Sequence, residues 1–234
     1  ERIAFVGRKG GGVMATVIGI MGDSGSGKTT SLRNLDPSST YIIDTDGKGL
    51  SWRGWKRDYN EENKNYCRTD DQNRVMAYLA SINSGAPHIK VVVVDTLNGI
   101  MVADEGRRRA EKGFDKWADL AWAVWDIVNY ALTMRDDITV ILTAHVQTDR
   151  DDSGFVHSRI KTSGRKLDKL QIETKLQALL FAKRNGDGDY VFEVHSNNST
   201  AKTPLGLYDD ETIPNDAARV VDDLSAYYGG DDRD

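Results

Sequence analysis

The stretch "VIGIMGDSGSGKTT", residues 17–30, constrains the fold more than any other part of the chain. A run of β-branched and apolar residues stops at a turn built almost entirely from glycine and serine. Gly22, Gly27, Lys28 and Thr29 fit the pattern G-x-x-x-x-G-K-[ST]. Glycines at these positions let the backbone turn its N–H groups inward around a phosphate. A helix expected near 28–35 would add its positive N-terminal end. Lys28 would reach the β- and γ-phosphates, and the Thr29 hydroxyl would ligate Mg²⁺. The candidate nucleotide-binding residues are therefore Gly22, Asp23, Ser24, Gly25, Ser26, Gly27, Lys28, Thr29 and Thr30, with ATP and Mg²⁺ as the implied cofactors. A chance Gly/Ser turn would not need a buried strand before it and a helix after it.

The rest of the chain repeats the alternation of strand and helix. Apolar runs predict strands over 40–46, 89–96, 138–146, 175–184 and 190–196, the last two joined by an "NGDGD" turn. Helical spacing covers 71–83 and 115–135. The run "IKVVVVDT" is apolar on both faces, as in a parallel sheet covered by helices on both sides. The expected fold is an α/β P-loop core with a mainly parallel sheet and a C-terminal β-hairpin. Residues 14–208 form this core. Residues 1–13 read as an appended remnant or as an N-terminal arm, and the acidic 209–234 as a short helix and tail.

Composition narrows the function classes. A net charge of −5 argues against a bulk nucleic-acid coat, but leaves room for a local basic patch. Cys67 is the single cysteine, so no intrachain disulfide can form. No apolar run reaches membrane-spanning length, and a cytoplasmic location is the expectation.

A Mg²⁺–nucleotide site also needs a carboxylate at the end of a neighbouring strand. Asp95, closing "VVVVD", is that candidate, and would hold the metal together with Thr29. Hydrolysis needs a base for the attacking water. Asp46 and Asp44, in "YIIDTDG", are both available.

These residues carry a family resemblance. "YIIDTDG" resembles the Y-I-D-T-E-G element of RecA-like recombinases, where the glutamate is the catalytic base. Asp46 falls on that glutamate and is one methylene shorter. "VILTAHV" (140–146) resembles their V-I-T-N-Q-V strand end, and His145 takes the place of the glutamine that senses the γ-phosphate. "TAKTP" (200–204) is similar to a late element of phage RecA-like ATPases, in which Lys202 would reach the nucleotide of a neighbouring subunit. Over residues 16–205 the chain resembles Sak-type annealing ATPases and other phage nucleotide-binding P-loop proteins. The resemblance implies core strands ordered 5-1-4-3-2 and ATP held between subunits of a filament or ring. It also implies action on single-stranded DNA in recombination, annealing or replication.

The segment "HSRIKTSGRKLDKL" (157–170) sets Arg159, Lys161, Arg165, Lys166 and Lys169 against one acid, Asp168. A mobile basic loop here would follow a DNA backbone, with Phe155 and His157 stacking on bases. The plain alternative is a solvated loop. "RRR" (107–109) reads either as a cation source for a neighbouring nucleotide or as a solvated face. Trp117, Trp122 and Trp125 read as core or interface packing. Two other functions fit the same P-loop. One is a small-molecule kinase, with 147–166 as a lid carrying Arg159 and Arg165. The other is a nucleotide-gated assembly factor with little turnover.

Overall fold

In the computed structural model the described residues are 14–111, 115–150, 152–154, 156–162 and 171–229, without the side chains of 115–118, 120 and 121. Five parallel strands form the centre: β1 (Thr16–Gly22), β2 (Thr40–Asp44), β4 (Val91–Asp95), β5 (Thr139–Arg150) and β7 (Ala178–Arg184). Their spatial order is β2-β4-β5-β1-β7. Read from the other edge, this is the 5-1-4-3-2 order that the resemblance implies. The sheet is extended by β3 (Tyr66–Arg68) beside β2, and by β8 (Tyr190–Glu193) and β9 (Thr212–Pro214) beyond β7. The β7–β8 pair is the expected antiparallel hairpin.

Side chains alternate across each strand, so each face of the sheet gains its own core. On one face Val17, Met21, Val92, Val94, Val140 and Leu142 pack under α2 (Gln72–Gly85), α3 (Leu97–Arg107) and α4 (Asp115–Leu132). On the other, Ile18, Ile20, Val91, Val93 and Ile141 pack under Leu32, Tyr59 and α5 (Ala217–Gly229). In α4 the buried stripe is Val124, Ile127, Val128 and Ala131. Trp122 is half exposed rather than core, and Trp125 packs partly against the core under the Lys175 ammonium. The Trp117 side chain lies outside the described set.

Several expectations change. The helix expected near 28–35 is a single 3₁₀ turn, Thr30–Asn34. Pro37 follows closely and, with Asp36 accepting from Ser38 and Ser39, turns the chain toward β2. Segment 47–69, without a clear period, holds the short helix α1 (Trp55–Asp58) and β3. Tyr59 is buried there, with its hydroxyl donating to Leu35 O at 3.0 Å. The acidic stretch after 208 adds β9 and a 13-residue helix that buries Ala217, Val220 and Leu224. Apolar side chains at helical spacing outweigh the surrounding acids.

Arg135 locks two elements together. Its guanidinium donates to Ile82 O at 2.7 Å and Ala86 O at 2.8 Å, and also to Asn83 O and Ile89 O. These are carbonyls at the end of α2 and in the turn into β4, where Ile82 O also accepts from Ala86 N and Ala86 O from Ile89 N. Arg135→Met removes a charged donor from all four carbonyls, of which Ile82 O and Ala86 O keep a backbone partner. It is expected to lower stability by roughly 2–4 kcal/mol. A shift of the urea midpoint with an unchanged slope would show this.

Candidate functional site: a phosphate loop at the sheet edge

The register of the parallel strands places the chemistry. Asp44 lies beside Asp95, and Thr139 beside both Val91 and Thr16. Counting along these strands puts Asp44, Asp95 and Thr143 in one row on one face. Two residues further on the same face, His145 lies beside Gly22, where the phosphate loop begins. All these groups thus meet at the carboxyl ends of the strands, where open α/β sheets bind ligands.

The loop is shaped for an anion. Gly25 and Gly27 have φ of 78° and 98°, in the left-handed region that glycine adopts without strain. A Cβ on Gly27 would stand 2.9 Å from the Tyr190 ring, so glycine is required on steric grounds too. Among the described residues, nothing accepts from the N–H groups of Gly25, Gly27, Lys28 or Thr29. Those donors are available to a phosphate. The buried Ser26 hydroxyl also has no partner among them. Asp23, Ser24 and Gly25 are exposed at the loop's tip, and Thr30 bonds Ser51 at 3.0 Å. With only one 3₁₀ turn behind the loop, the positive charge comes from these N–H groups and Lys28 rather than from a long helix.

Lys28 donates to Gly22 O at 2.8 Å and Asp23 O at 2.7 Å. Burial pushes its pKa down to about 8, opposed by the charges of Asp95, Asp23 and Asp46. Thr29 donates to Asp95 Oδ2 at 2.8 Å, and Thr143 donates to Oδ1 at 2.5 Å. Asp95 is fully buried, which raises its pKa, while Thr143, Lys48 and Thr29 oppose the shift. A hydroxyl and a carboxylate are hard oxygen donors suited to Mg²⁺. No group of three His, Cys, Asp or Glu among the described residues could hold a metal alone. The fit is to a metal that shares its coordination with phosphate oxygens.

The two candidate bases separate clearly. Asp44 is buried and accepts from Gly47 N, Gly49 N and the Tyr66 hydroxyl at 2.7–2.8 Å. It holds the 45–49 loop and has no face left for water. Asp46 is partly exposed; Oδ1 accepts from the Thr96 hydroxyl at 3.1 Å, and Oδ2 pairs with the Lys48 ammonium at 2.7 Å. His145 donates its N–H to Asn98 Oδ1 at 2.7 Å. Burial, then the Lys28 charge, holds its imidazole below the usual histidine range, so it is neutral at neutral pH.

The basic stretch differs from a free loop. β5 runs out to Arg150 and pairs with β6 (Val156–Ile160) as an antiparallel hairpin. Arg159 is in β6 and bonds Asp149 at 2.9 Å. The alternation in "VHSRI" is the sequence signal for this strand. Lys161 is exposed, and its N–H donates to His145 O at 2.7 Å. Arg165, Lys166, Lys169 and Phe155 lie outside the described residues. Lys202 is half-buried and tied to Leu179 through its backbone at 2.8 and 2.9 Å. It lines a cleft of about 540 Å³ with Arg159, His157 and Glu173. The phosphate loop is not part of that cleft, so two candidates proposed for different roles share one surface. Arg107 pairs with Asp70, and Arg108 with Glu111 and Asp119, as a solvated face does.

Sequence reasoning missed Lys48, Thr143 and Asn98. The signal for Thr143 was its alternation with His145 in "LTAHV". Asn98 also donates to Lys161 O at 2.9 Å, pinning the base of the hairpin to α3.

A glycine-lined anion loop with its lysine, a hydroxyl on a buried strand-end aspartate, and a parallel sheet in this order define a P-loop nucleotide-binding ATPase core. The chain belongs to the AAA domain family, which it matches over residues 14–205. Among curated proteins none matches it. No helix among the described residues is long and apolar enough to cross a membrane.

The buried lysine sets a pH dependence. Phosphate binding needs the charged form, which the unliganded protein loses as pH rises through about 8. ATP affinity is expected to be level near neutral pH and to weaken above that point, by up to about tenfold per pH unit. Binding isotherms at constant ionic strength test this. Unchanged affinity up to about pH 10 would contradict the role given to Lys28.

Proposed function

We propose that this chain is an ATP-hydrolysing RecA-like motor or switch that acts on single-stranded DNA as a homo-oligomer, a filament or a ring. The observation that carries this reading is the single edge where Lys28, Thr29, Asp95, Asp46 and His145 converge. Lys28 and the loop N–H groups hold the β- and γ-phosphates. Thr29 and Asp95 would hold Mg²⁺, which would supply positive charge against that developing on the phosphates. Asp46 orients a water molecule and takes its proton. The water oxygen bonds to the γ-phosphorus, the bridge to the β-phosphate breaks, and ADP and phosphate leave. Neutral His145 stands next to the loop as a hydrogen-bonding γ-phosphate sensor.

DNA is the finer part of the reading. Lys161 and Arg159 lie on a hairpin rooted at His145 by a backbone hydrogen bond, so a ligand on the hairpin and the state of the phosphate share one rigid connection. Arg165, Lys166 and Lys169 add positive charge in the adjoining sequence. Lys202, across the cleft from Arg159, supports a contact to a neighbouring subunit's nucleotide. A resemblance to phage annealing ATPases favours the same reading.

The test is ATP turnover with and without single-stranded DNA. Stimulation several-fold is expected, weakening with salt as backbone contacts are screened. Lys28→Ala should reduce ATP affinity by ~100-fold or more, since a charge-assisted phosphate contact is lost. Asp46→Asn should keep affinity and lose most turnover, because an amide cannot accept the proton. Phosphate transfer to a small acceptor instead would establish a kinase, and tight ATP binding without turnover an assembly switch. Normal hydrolysis by Asp46→Asn would move the base elsewhere.

A further inference from the structure

The 45–49 loop carries a cation that the proposed chemistry has not used. Asp44 accepts from Gly47 N and Gly49 N, and both glycines have positive φ, 68° and 82°. This winding brings Lys48 back over the site instead of letting it trail into solvent. Its ammonium bonds Asp46 Oδ2 at 2.7 Å. The other oxygen of Asp46 is fixed by Thr96, the residue after Asp95. The Lys48 charge is felt at Asp95, Lys28 and His145, the groups assigned above to the metal and the phosphates. Its side chain is 47% exposed, so it is free to swing.

This arrangement poses a problem for hydrolysis. Thr96 has one hydroxyl proton and gives it to Oδ1, while its oxygen accepts from Gly99 N at 3.2 Å. Both oxygens of Asp46 are thus engaged, and Oδ2 is the one whose partner, the half-exposed Lys48, is on a flexible side chain. A γ-phosphate bound at Lys28 would bring a concentrated negative charge close to the same ammonium. A lysine ammonium is a flexible point charge, and phosphate is a stronger attractor than one carboxylate.

Resting on the ATPase reading above, we infer that Lys48 is a γ-phosphate ligand supplied by the chain's own second-strand loop. Its transfer from Asp46 to the phosphate is what uncovers Oδ2. The base is covered while the site is empty or holds ADP, and freed when ATP is in place. Lys48 thus touches the nucleotide only through the phosphate that ATP has and ADP lacks. This makes it the chain's own discriminator between the two.

The experiment compares affinities for ADP and for a non-hydrolysable β,γ-imido ATP analogue, in wild type and in Lys48→Met, with circular dichroism to confirm folding. Lys48→Met should weaken the analogue by about tenfold or more, the effect of one charge-assisted hydrogen bond, and leave ADP within about twofold. Lys48→Arg should retain much of the preference for the analogue. Equal losses for both nucleotides would overturn the inference, since Lys48 would then act through the shape of the loop. No loss for either would overturn it as well. If wild type binds neither nucleotide, the ATPase reading itself fails, and this inference with it.

Discussion

The site depends on one buried carboxylate. Asp95 has no exposure, and a bare charge in such a place would cost several kcal/mol. Two hydroxyls share the burden: Thr29 from the phosphate loop and Thr143 from β5. Each bond joins β4 to a different element, so the carboxylate holds the loop against the sheet. The same bonds keep Thr29 oriented toward the place where a metal would sit. Binding then needs little rearrangement of the strand ends, which is the main benefit of organising a site in advance.

The geometry follows from parallel pairing. In a parallel sheet, residues side by side in the register point to the same face, and all carboxyl ends lie on one edge. Asp44, Asp95 and Thr143 come from three segments far apart in sequence, and the register alone sets them in a row. Their roles then diverge through local surroundings. Asp44 meets two backbone N–H groups and a tyrosine hydroxyl, and becomes the post around which the next loop winds. Asp46, two residues later, has left the strand and faces the site.

Much of this was legible in the sequence. The phosphate loop, the four-valine strand and the hairpin after it follow from residue type and period, and their order in space agrees with the family resemblance. What escaped was set by tertiary context. β3 has three residues, too few to show a period, and forms because Tyr66 and Cys67 are buried beside β2. β6 sits in a polar segment and buries little beyond Ile160, which faces Val146 of β5, so its period is short and faint in the sequence. Lys48 belongs to no motif; its position is set by the two left-handed glycines and Asp44. The choice between Asp44 and Asp46 likewise could not be made from spacing, since both sit near a strand end. The structure separates them by their surroundings: three donors enclose the buried Asp44, while Asp46 is partly exposed.

The shorter acid at 46 raises the question of reach, and the packing around it bears on the answer. Asp lacks one methylene of the glutamate found in the resembling recombinases, so the role proposed for it needs its backbone closer to the reacting atoms. Gly99, in the first turn of α3, permits that approach. A Cβ at this position would fall 2.6 Å from Thr45 Oγ1, 2.7 Å from Asp46 Oδ1 and 2.8 Å from Thr45 O. One of these is backbone and cannot swing aside. With glycine there, α3 and the 45–46 loop close on each other, and Thr96 caps the helix while donating to Asp46. The loop's position is fixed by Asp44 behind it and by the close approach of Gly99 in front. A short acid held on both sides has fewer rotamers to lose when it engages water than a longer, looser one.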